Sequence, residues 1–244
     1  MRDNYILTAE SVTEGHPDKL CDTIADAVLD ACLLGDPDSR VACEVLATAG
    51  KITVAGEITT KVMPDIPHIV CKTTRQIGYS GNYEVEVDIH DQSPNIADAV
   101  NSETEITAGD QGIVYGYACR ETPHFLPLPV VLAHRITMAL TEARRNHLLE
   151  WLRLDGKAQV SVEYEDGKPM RAKTVVVSAH HEPEVSQKEL REAVYQLILV
   201  PALGKYLDQN TGVLINPSGS FVMGGFEADT GLTGRKLMVD TYGG

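Results

Sequence analysis

The chain has no surplus of positive charge, no paired cysteine motif and no long apolar run. Its 21 Lys and Arg residues stand against 35 Asp and Glu residues, which gives a formal net charge of -14. This balance excludes non-specific nucleic-acid binding, which requires a basic surface. The most apolar stretch, residues 125–133, contains Pro127 and Pro129 and is too short to cross a bilayer. We therefore expect neither a nucleic-acid nor a membrane partner.

The five cysteines are odd in number, and no two of them are spaced as C-x-x-C. We therefore expect reduced thiols and a cytoplasmic location. No secretory signal is expected, because residues 1–5 contain no apolar core segment. A chain of 244 residues with 43% hydrophobic residues can form one large core or two or three small units.

Hydrophobic periodicity predicts one order of elements twice along the chain: helix, hairpin, helix and strand. The first set is predicted as a helix over 17–34, strands over 40–47 and 52–60, a helix over 65–78 and a strand over 83–89. The second set is predicted as a helix over 130–146, strands over 159–164 and 171–178, a helix over 186–199, and short strands over 212–216 and 220–223. Further strand-like runs cover residues 113–117 and 237–241.

These repeats predict an α+β protein in which each unit has an antiparallel sheet with helices on one face. We place an N-terminal unit at residues 1–101, a central unit at 102–226 and the start of a third unit at 227–244. The stretch 92–108 has few apolar anchors, and we interpret it either as a lid over a site or as a linker between units.

The pentapeptide Gly15-His16-Pro17-Asp18-Lys19 opens the first predicted helix. Gly15 lets the backbone bend, and Pro17 suits the first helical position, where its missing N–H costs nothing. The free N–H groups of the helix end, the Lys19 cation, a His16 donor and the Asp18 oxygens suit a polyphosphate arriving with Mg²⁺. The same residues also fit a capped helix with ordinary surface charges, and the pentapeptide alone does not decide between the two interpretations.

Three other segments carry weaker signals of the same kind. The loop at 229–236 has two glycines before the adjacent cations Arg235 and Lys236, which suits a di- or triphosphate but also an ordinary basic turn. Lys157 precedes a predicted strand and either reaches a phosphate or is simply solvated. The turn at 109–112 either presents Asp110 to an ammonium group or begins an ordinary hairpin.

Taken together and in this order, the segments resemble the S-adenosylmethionine synthetase (methionine adenosyltransferase) family. The resemblance covers the whole chain and rests on the motifs ESVTEGHPDK at 10–19, GEITT at 56–60, GDQG at 109–112, NPSG at 216–219 and DTGLTGRKLMVDTYGG at 229–244. It implies the fold of that family, three similar α+β units about a pseudo-threefold axis, of which the third is largely absent from this sequence.

The resemblance also implies a reaction. The family joins L-methionine to ATP: the sulfur attacks C5′ of the ribose, and the triphosphate leaves and is cleaved to diphosphate and phosphate. Mg²⁺ and K⁺ are the implied cofactors. The implied assembly is a homodimer or homotetramer with its sites between subunits.

The matched motifs assign roles to individual residues. For the phosphates and metals, the resemblance implies that His16 hydrogen-bonds the developing triphosphate, that Asp18 binds Mg²⁺ and that Glu44 lies near a K⁺ site. It implies that the phosphates are held by Lys157, Arg235 and Lys236. It also implies that Phe221 lies near the adenine and that methionine or the ribose is surrounded by Glu57, Gln92, Asp110 and Asp229. Family members continue after Tyr-Gly-Gly with a further lysine-containing loop and a metal-binding aspartate. A non-catalytic nucleotide- or methionine-binding subunit, or an inactive fragment, is therefore the alternative to an active enzyme.

Overall fold

The computed structural model describes residues 4–91 and 112–243, and two four-stranded sheets organise them. The elements of the first repeat are β1 (Tyr5–Val12), α1 (Pro17–Gly35), β2 (Arg40–Thr48), β3 (Lys51–Thr59), α2 (Ile66–Ile77) and β4 (Glu84–His90). Those of the second are α3 (Leu128–Arg145), β5 (Leu152–Glu165), β6 (Lys168–His181), α4 (Gln187–Ala193), a π-helical stretch (Val194–Leu199), α5 (Val200–Leu203) and β7 (Gly212–Ile215). Two short elements follow, β8 (Gly231–Leu232) and α6 (Leu237–Asp240).

The predicted repeat of helix, hairpin, helix and strand is confirmed, and the two sheets have matching strand orders. The first-unit sheet has the order β4-β3-β2-β8, and the second-unit sheet has the order β7-β6-β5-β1. Within each sheet two of the three strand pairs are antiparallel. The third pair, β3 with β4 or β6 with β7, is parallel, and helices form the crossover in both cases.

The fourth strand of each sheet comes from outside the hairpin unit that it completes. β1 lies next to α1 in the chain but pairs with β5, and β8 pairs with β2. Periodicity did not predict β1, because its buried residues are the small or polar Ala9 and Ser11 with Val12 at its end. The two units are therefore joined through their sheets as well as through the chain.

Each sheet buries one face under helices and leaves the other face open. In β3, Ile52, Val54 and Ile58 are fully buried against α1 and α2, while the alternate residues point away from the helices. In β5, Val160 and Val162 are equally buried in a second core with α3. The open faces of the two sheets consequently carry the residues between these core positions.

Three sequence-based expectations are wrong. Residues 113–117 form no strand, and residues 237–241 contain the short helix α6 instead of a strand. Residues 220–223 form no strand either, because Phe221 exchanges two hydrogen bonds with His181, one to its side chain and one to its backbone. The helix predicted over 186–199 runs on to Leu203 through the π-helical stretch.

Among the described residues, no helix is both long and apolar enough to cross a membrane. The five cysteines are free thiols in this structure.

Candidate active site

Two glycines let three distant segments meet at the start of α1. A Cβ on Gly15 would lie 2.4 Å from the Leu154 carbonyl oxygen, and a Cβ on Gly231 would lie 2.2 Å from the Pro17 carbonyl oxygen. Gly15 is therefore required for close approach, and not for the backbone bend that we expected. The result brings the pentapeptide, the start of β5 and the 229–236 loop together.

A cavity of about 330 Å³ lies where these segments meet. The start of β5 and the end of β6 line it on one side, and residues between 216 and 229 also line it. The residues that line it and bear on its chemistry are His16, Asp155, Lys157, Ser178, Phe221 and Asp229. Four of the predicted site residues, His16, Lys157, Phe221 and Asp229, therefore share one cavity.

His16 presents a neutral donor to this cavity. Its Nδ1 accepts a hydrogen bond from the Asp18 N–H at 3.2 Å and so caps α1. The proton of the neutral ring then resides on Nε2, which is buried and has no hydrogen-bond partner among the described residues. Burial, reinforced by the charges of Lys157 and Lys236, lowers the pKa of His16 to about 3. The ring consequently stays uncharged at neutral pH while keeping a free N–H.

Asp18 lies beside His16, is 2% exposed and already has two partners. One oxygen accepts the Leu232 N–H at 2.9 Å, and the other accepts the Lys236 ammonium at 2.6 Å. Arg235 is further away, with 3.7 Å between its Nη1 and the carboxylate. Burial alone would raise the pKa of Asp18, but the hydrogen bonds from Lys236 and Leu232 outweigh it and hold this pKa below its usual range.

Lys19 does not join the cations of the site. Its ammonium lies 2.9 Å from Asp240 and 3.4 Å from Asp22, and these ion pairs hold it against α6. The expectation that Lys19 adds a cation to the anion site is therefore wrong. The cations that do surround His16 are Lys157, Lys236 and Arg235.

Asp155 is a cavity residue that sequence reasoning missed. It is 6% exposed; one oxygen accepts the Gly225 N–H at 2.8 Å, and the other is buried without a partner among the described residues. Burial raises the pKa of Asp155 in spite of that hydrogen bond. The available signal was a carboxylate two residues before Lys157, in the run that leads into the predicted strand.

Phe221 forms one wall of the cavity. Its ring stacks on His180 at 5.1 Å between centroids, and its N–H donates to His181 Nε2 at 3.0 Å. Both histidines are buried, so they hold the Phe221 ring in position. Such a held aromatic face suits the stacking of a planar base.

Glu44 and Glu57 lie elsewhere, on the open face of the first-unit sheet. Glu44 faces Ala55 across the β2–β3 pair, and Glu57 is exposed two residues further along β3. Glu44 accepts a hydrogen bond from Thr233, but neither carboxylate lines the cavity. Gln92 and Asp110 lie outside the described residues, so their predicted roles stay predictions.

The described side chains offer few ligands for a metal ion. Within residues 4–91 and 112–243, no cluster of three or more His, Cys, Asp or Glu side chains could hold one. Asp18 supplies a single carboxylate, which fits Mg²⁺ only if substrate phosphates and water complete the coordination. Glu44 is an exposed lone carboxylate and does not by itself fit a K⁺ site.

Comparison with known proteins gives matches along most of the chain. Residues 4–104 match the family model described as "S-adenosylmethionine synthetase, N-terminal domain", and residues 105–221 match the one described as "S-adenosylmethionine synthetase, central domain". A protein of Thermus thermophilus named S-adenosylmethionine synthase is 52% identical over 266 aligned residues, which include all of this chain and 67% of the relative. One of Desulfosudis oleivorans with the same name is 47% identical over 253 residues, 98% of this chain and 65% of the relative. The chain thus spans about two thirds of the length of these relatives.

Proposed function

Because the chain belongs to the S-adenosylmethionine synthetase family, we propose that it forms S-adenosyl-L-methionine from ATP and L-methionine. The observation that carries the proposal is the Nε2–H of neutral His16, which is buried without a partner in the described part of the chain and faces a cavity next to three cations. A donor of this kind suits the oxygen that becomes the leaving group when ATP loses its triphosphate. The names of the curated relatives support the same reaction.

In the proposed step, the methionine sulfur donates an electron pair to C5′ of the ribose. The C5′–O bond breaks, its electrons leave with the triphosphate, and the sulfur becomes a sulfonium. No covalent enzyme intermediate is needed, so the protein contributes positioning and charge stabilisation. The triphosphate is then hydrolysed to diphosphate and phosphate before release.

The residues of this chain divide that work. His16 Nε2 donates to the leaving oxygen, and Lys157, Arg235 and Lys236 neutralise the charge that develops on the phosphates. Phe221, which also lines the cavity, stacks against the adenine, and Asp229 lies near methionine or the ribose. The Asp155 oxygen that has no partner within residues 4–91 and 112–243 offers an acceptor for a substrate hydroxyl or N–H.

Mg²⁺ is proposed to bind Asp18 together with phosphate oxygens of the substrate. When bound, it supplies positive charge that polarises the phosphoryl groups. The assignment requires Asp18 to exchange its Lys236 partner, which the phosphates also attract. We derive no step through K⁺, and the assignment of Glu44 to it stays a prediction.

A second copy of the chain is proposed to complete the site. Glu57 and Glu44 are exposed on the open face of the first-unit sheet and do not line the cavity, although Glu44 accepts a hydrogen bond from Thr233 of the 229–236 loop. A homodimer or homotetramer that places this acidic face over the cavity of another copy would unite the two halves. The proposed setting is cytoplasmic, with ATP and L-methionine as the small-molecule partners.

The alternative is a subunit that binds nucleotide or methionine without turning them over, or an inactive fragment. One observation favours it: the curated relatives are about half as long again as this chain. Their additional third can carry groups that the reaction needs.

One assay separates the two functions. The chain is incubated with ATP, L-methionine, Mg²⁺ and K⁺, and S-adenosylmethionine is measured by chromatography. Product formation supports the enzyme; ATP binding by calorimetry without product supports the binding subunit. Hydrolysis of added tripolyphosphate, assayed alongside, would show that the second half-reaction occurs independently of the first.

Asp18→Asn provides the matched variant for that assay. It keeps an acceptor for the Leu232 N–H but loses the negative charge that faces Lys236. We expect Mg²⁺-dependent turnover to fall by about 100-fold or more while the free energy of unfolding changes by only about 1 kcal/mol. Parallel losses of turnover and stability would instead make Asp18 a structural residue.

A further inference from the structure

The last two residues of β6 support the segment 221–224, which bears the aromatic wall of the cavity. His180 and His181 are 5% and 1% exposed, and neither of them lines that cavity. His180 contacts Phe221 and Val222, and His181 contacts Phe221. Because the nitrogens of a buried imidazole need partners, the atoms that face them show what each histidine does.

The partners of His181 fix its ring as one neutral tautomer. Its Nδ1 lies 2.8 Å from the Glu182 carbonyl oxygen, which can only accept, so Nδ1 carries the proton. Its Nε2 accepts the Phe221 N–H at 3.0 Å and the Gln187 side-chain NH₂ at 3.1 Å, so Nε2 carries only a lone pair. The His181 N–H also donates to the Phe221 carbonyl oxygen at 3.0 Å. Both backbone polar groups of Phe221 are therefore bound by one residue.

His180 holds the phenyl ring and the residue that follows it. Burial lowers the pKa of His180, so its ring is neutral at neutral pH, and its Nε2–H donates to the Val222 carbonyl oxygen at 3.0 Å. The imidazole stacks on the Phe221 ring, with 5.1 Å between centroids and 28° between planes. A Cβ on Gly224 would lie 2.7 Å from His180 Nδ1, so glycine is required for this close approach. The two histidines thus bind both the backbone and the ring of the wall.

We propose that His181 is a positioning residue for the nucleobase: it fixes the backbone of Phe221 and so sets where the phenyl ring meets a planar base in the cavity. His181 acts through Phe221 and does not itself line the cavity. The inference rests on the proposed function, because it takes the adenine of ATP as the base. The phosphates are proposed to meet Lys157 and Lys236 instead, so base binding and phosphate binding can be measured separately.

Two variants separate the side-chain hydrogen bonds of His181. His181→Gln reaches the position of Nε2 with an amide oxygen that accepts the Phe221 N–H, whereas His181→Asn reaches only the position of Nδ1. Calorimetry on the 244-residue chain measures binding of ATP and of tripolyphosphate, which has no base. We expect His181→Asn to weaken ATP binding by about tenfold and tripolyphosphate binding by less than about twofold, with His181→Gln close to wild type for both. Equal losses for the two ligands, or a wild-type chain that does not bind ATP, would overturn the proposal.

Phe221→Ala shows whether His181 acts through the phenyl ring. This variant keeps the backbone N–H and carbonyl but has no ring, and it should itself weaken ATP binding by about tenfold. Adding His181→Asn to Phe221→Ala should then change ATP binding by less than about twofold, because both changes remove the same contact. A further loss as large as the first would mean that His181 acts independently of Phe221 and would contradict the proposal.

Failure of the proposed reaction gives a different result. A chain that binds ATP in this His181-dependent way but forms no S-adenosylmethionine would support the positioning role and remove the enzyme.

Discussion

The two units share a strand order but differ in hairpin length, and that difference locates the site. The strands β2 and β3 have nine residues each, whereas β5 and β6 have 14 each. Both hairpins turn through two residues, so the extra length lies at the end away from the turn. That end carries Asp155 and Ser178, which line the cavity. The longer hairpin of the second unit therefore supplies cavity residues that the shorter hairpin of the first unit lacks.

The open faces of the two sheets also differ in charge. The first-unit face carries Glu44 and Glu57 and, on β4, the carboxylates of Glu86 and Asp88. The second-unit face ends at Lys157, next to the cations of the 229–236 loop. Both faces are mixed, since Lys51 pairs with Glu86 on the first and Glu10 and Glu163 lie on the second. The cations at the Lys157 end are therefore the part of the second-unit face that complements the carboxylates of the first in the proposed dimer.

The largest expected effect comes from changing one residue on each of these two faces in separate variants. Lys157→Met and Glu57→Gln alter exposed side chains, so both variants should fold normally. If the proposed function and the proposed shared site hold, each should lower S-adenosylmethionine formation by about 100-fold or more, because each then removes one half of every site. A hybrid dimer of the two variants, isolated with two affinity tags, should regain about half of the wild-type rate, since one of its two sites carries neither change.

The hybrid experiment contains its own control. A dimer assembled from two differently tagged Lys157→Met copies carries the same tags but no intact site, and it should stay inactive. A hybrid as inactive as its parents would show that both residues act within one copy. Full activity of Glu57→Gln alone would remove the acidic face from the reaction.

A second prediction compares the junction of the units with the inside of one hairpin. Gly15→Ala places a Cβ 2.4 Å from the Leu154 carbonyl oxygen, so the backbone must move. We expect this movement to lower the free energy of unfolding by about 3 kcal/mol. A Cβ at Gly167 would meet no atom of the described residues within 4 Å, so Gly167→Ala carries only the strain of φ +74°, about 1 kcal/mol. Urea denaturation of both variants measures the difference. Equal losses would mean that the segments at α1 do not need this close approach.

Elements with strong local patterns were predictable, and those that depend on distant partners were not. The spacing of Leu20, Ile24 and Val28 predicted α1, and all three are fully buried. β1 was missed because its small buried residues give no alternation, and its pairing partner is far along the chain. Residues 113–117 have strong strand propensity, yet a strand needs a neighbour as well as propensity.

The site shows the same division. The capped helix with Pro17 at its start followed from the pentapeptide. The direction of Lys19 did not, because its partner Asp240 is 221 residues away. Asp155 was missed since its burial depends on the 216–229 chain that closes over it. Only the family resemblance brought His16 and Lys157 together before the structure did, and the roles it assigns stay predictions.

A third prediction uses the cations of the second-unit cavity, which help to hold the pKa of His16 near 3. Between the unfolded value and this folded value, the unfolded chain binds a proton that the folded chain does not, so stability falls as the pH falls. From pH 6.5 to 5, His16 should account for a loss of about 1.5 kcal/mol. His16→Asn keeps a helix-capping side chain but cannot titrate, so its stability should fall less over this range.

Urea titrations of the two proteins at several pH values measure this difference. The pKa values of His134 and His180 are also lowered, so these residues make stability fall with pH in both proteins. Their contributions cancel when the two proteins are compared. Identical pH slopes for wild type and His16→Asn would show that His16 titrates normally in the folded state. It would then carry charge in mildly acidic solution and could not act as the neutral donor proposed here.

The smallest effect tests the turns of the two hairpins. In the second unit both turn residues, Asp166 and Gly167, have positive φ, which matches the twist of the strands, whereas in the first unit only Gly50 does. Asp166→Ala should therefore cost about 1 kcal/mol, because alanine is strained at φ 49°. Ala49→Asn should stabilise the first hairpin by about 0.5 kcal/mol, since Asn-Gly favours the tighter-twisting turn. Thermal unfolding of both variants measures whether each one is destabilised or stabilised relative to the wild-type chain. A loss from Ala49→Asn would mean that the shorter hairpin requires its present turn, and that the two units differ in turn geometry for a structural reason.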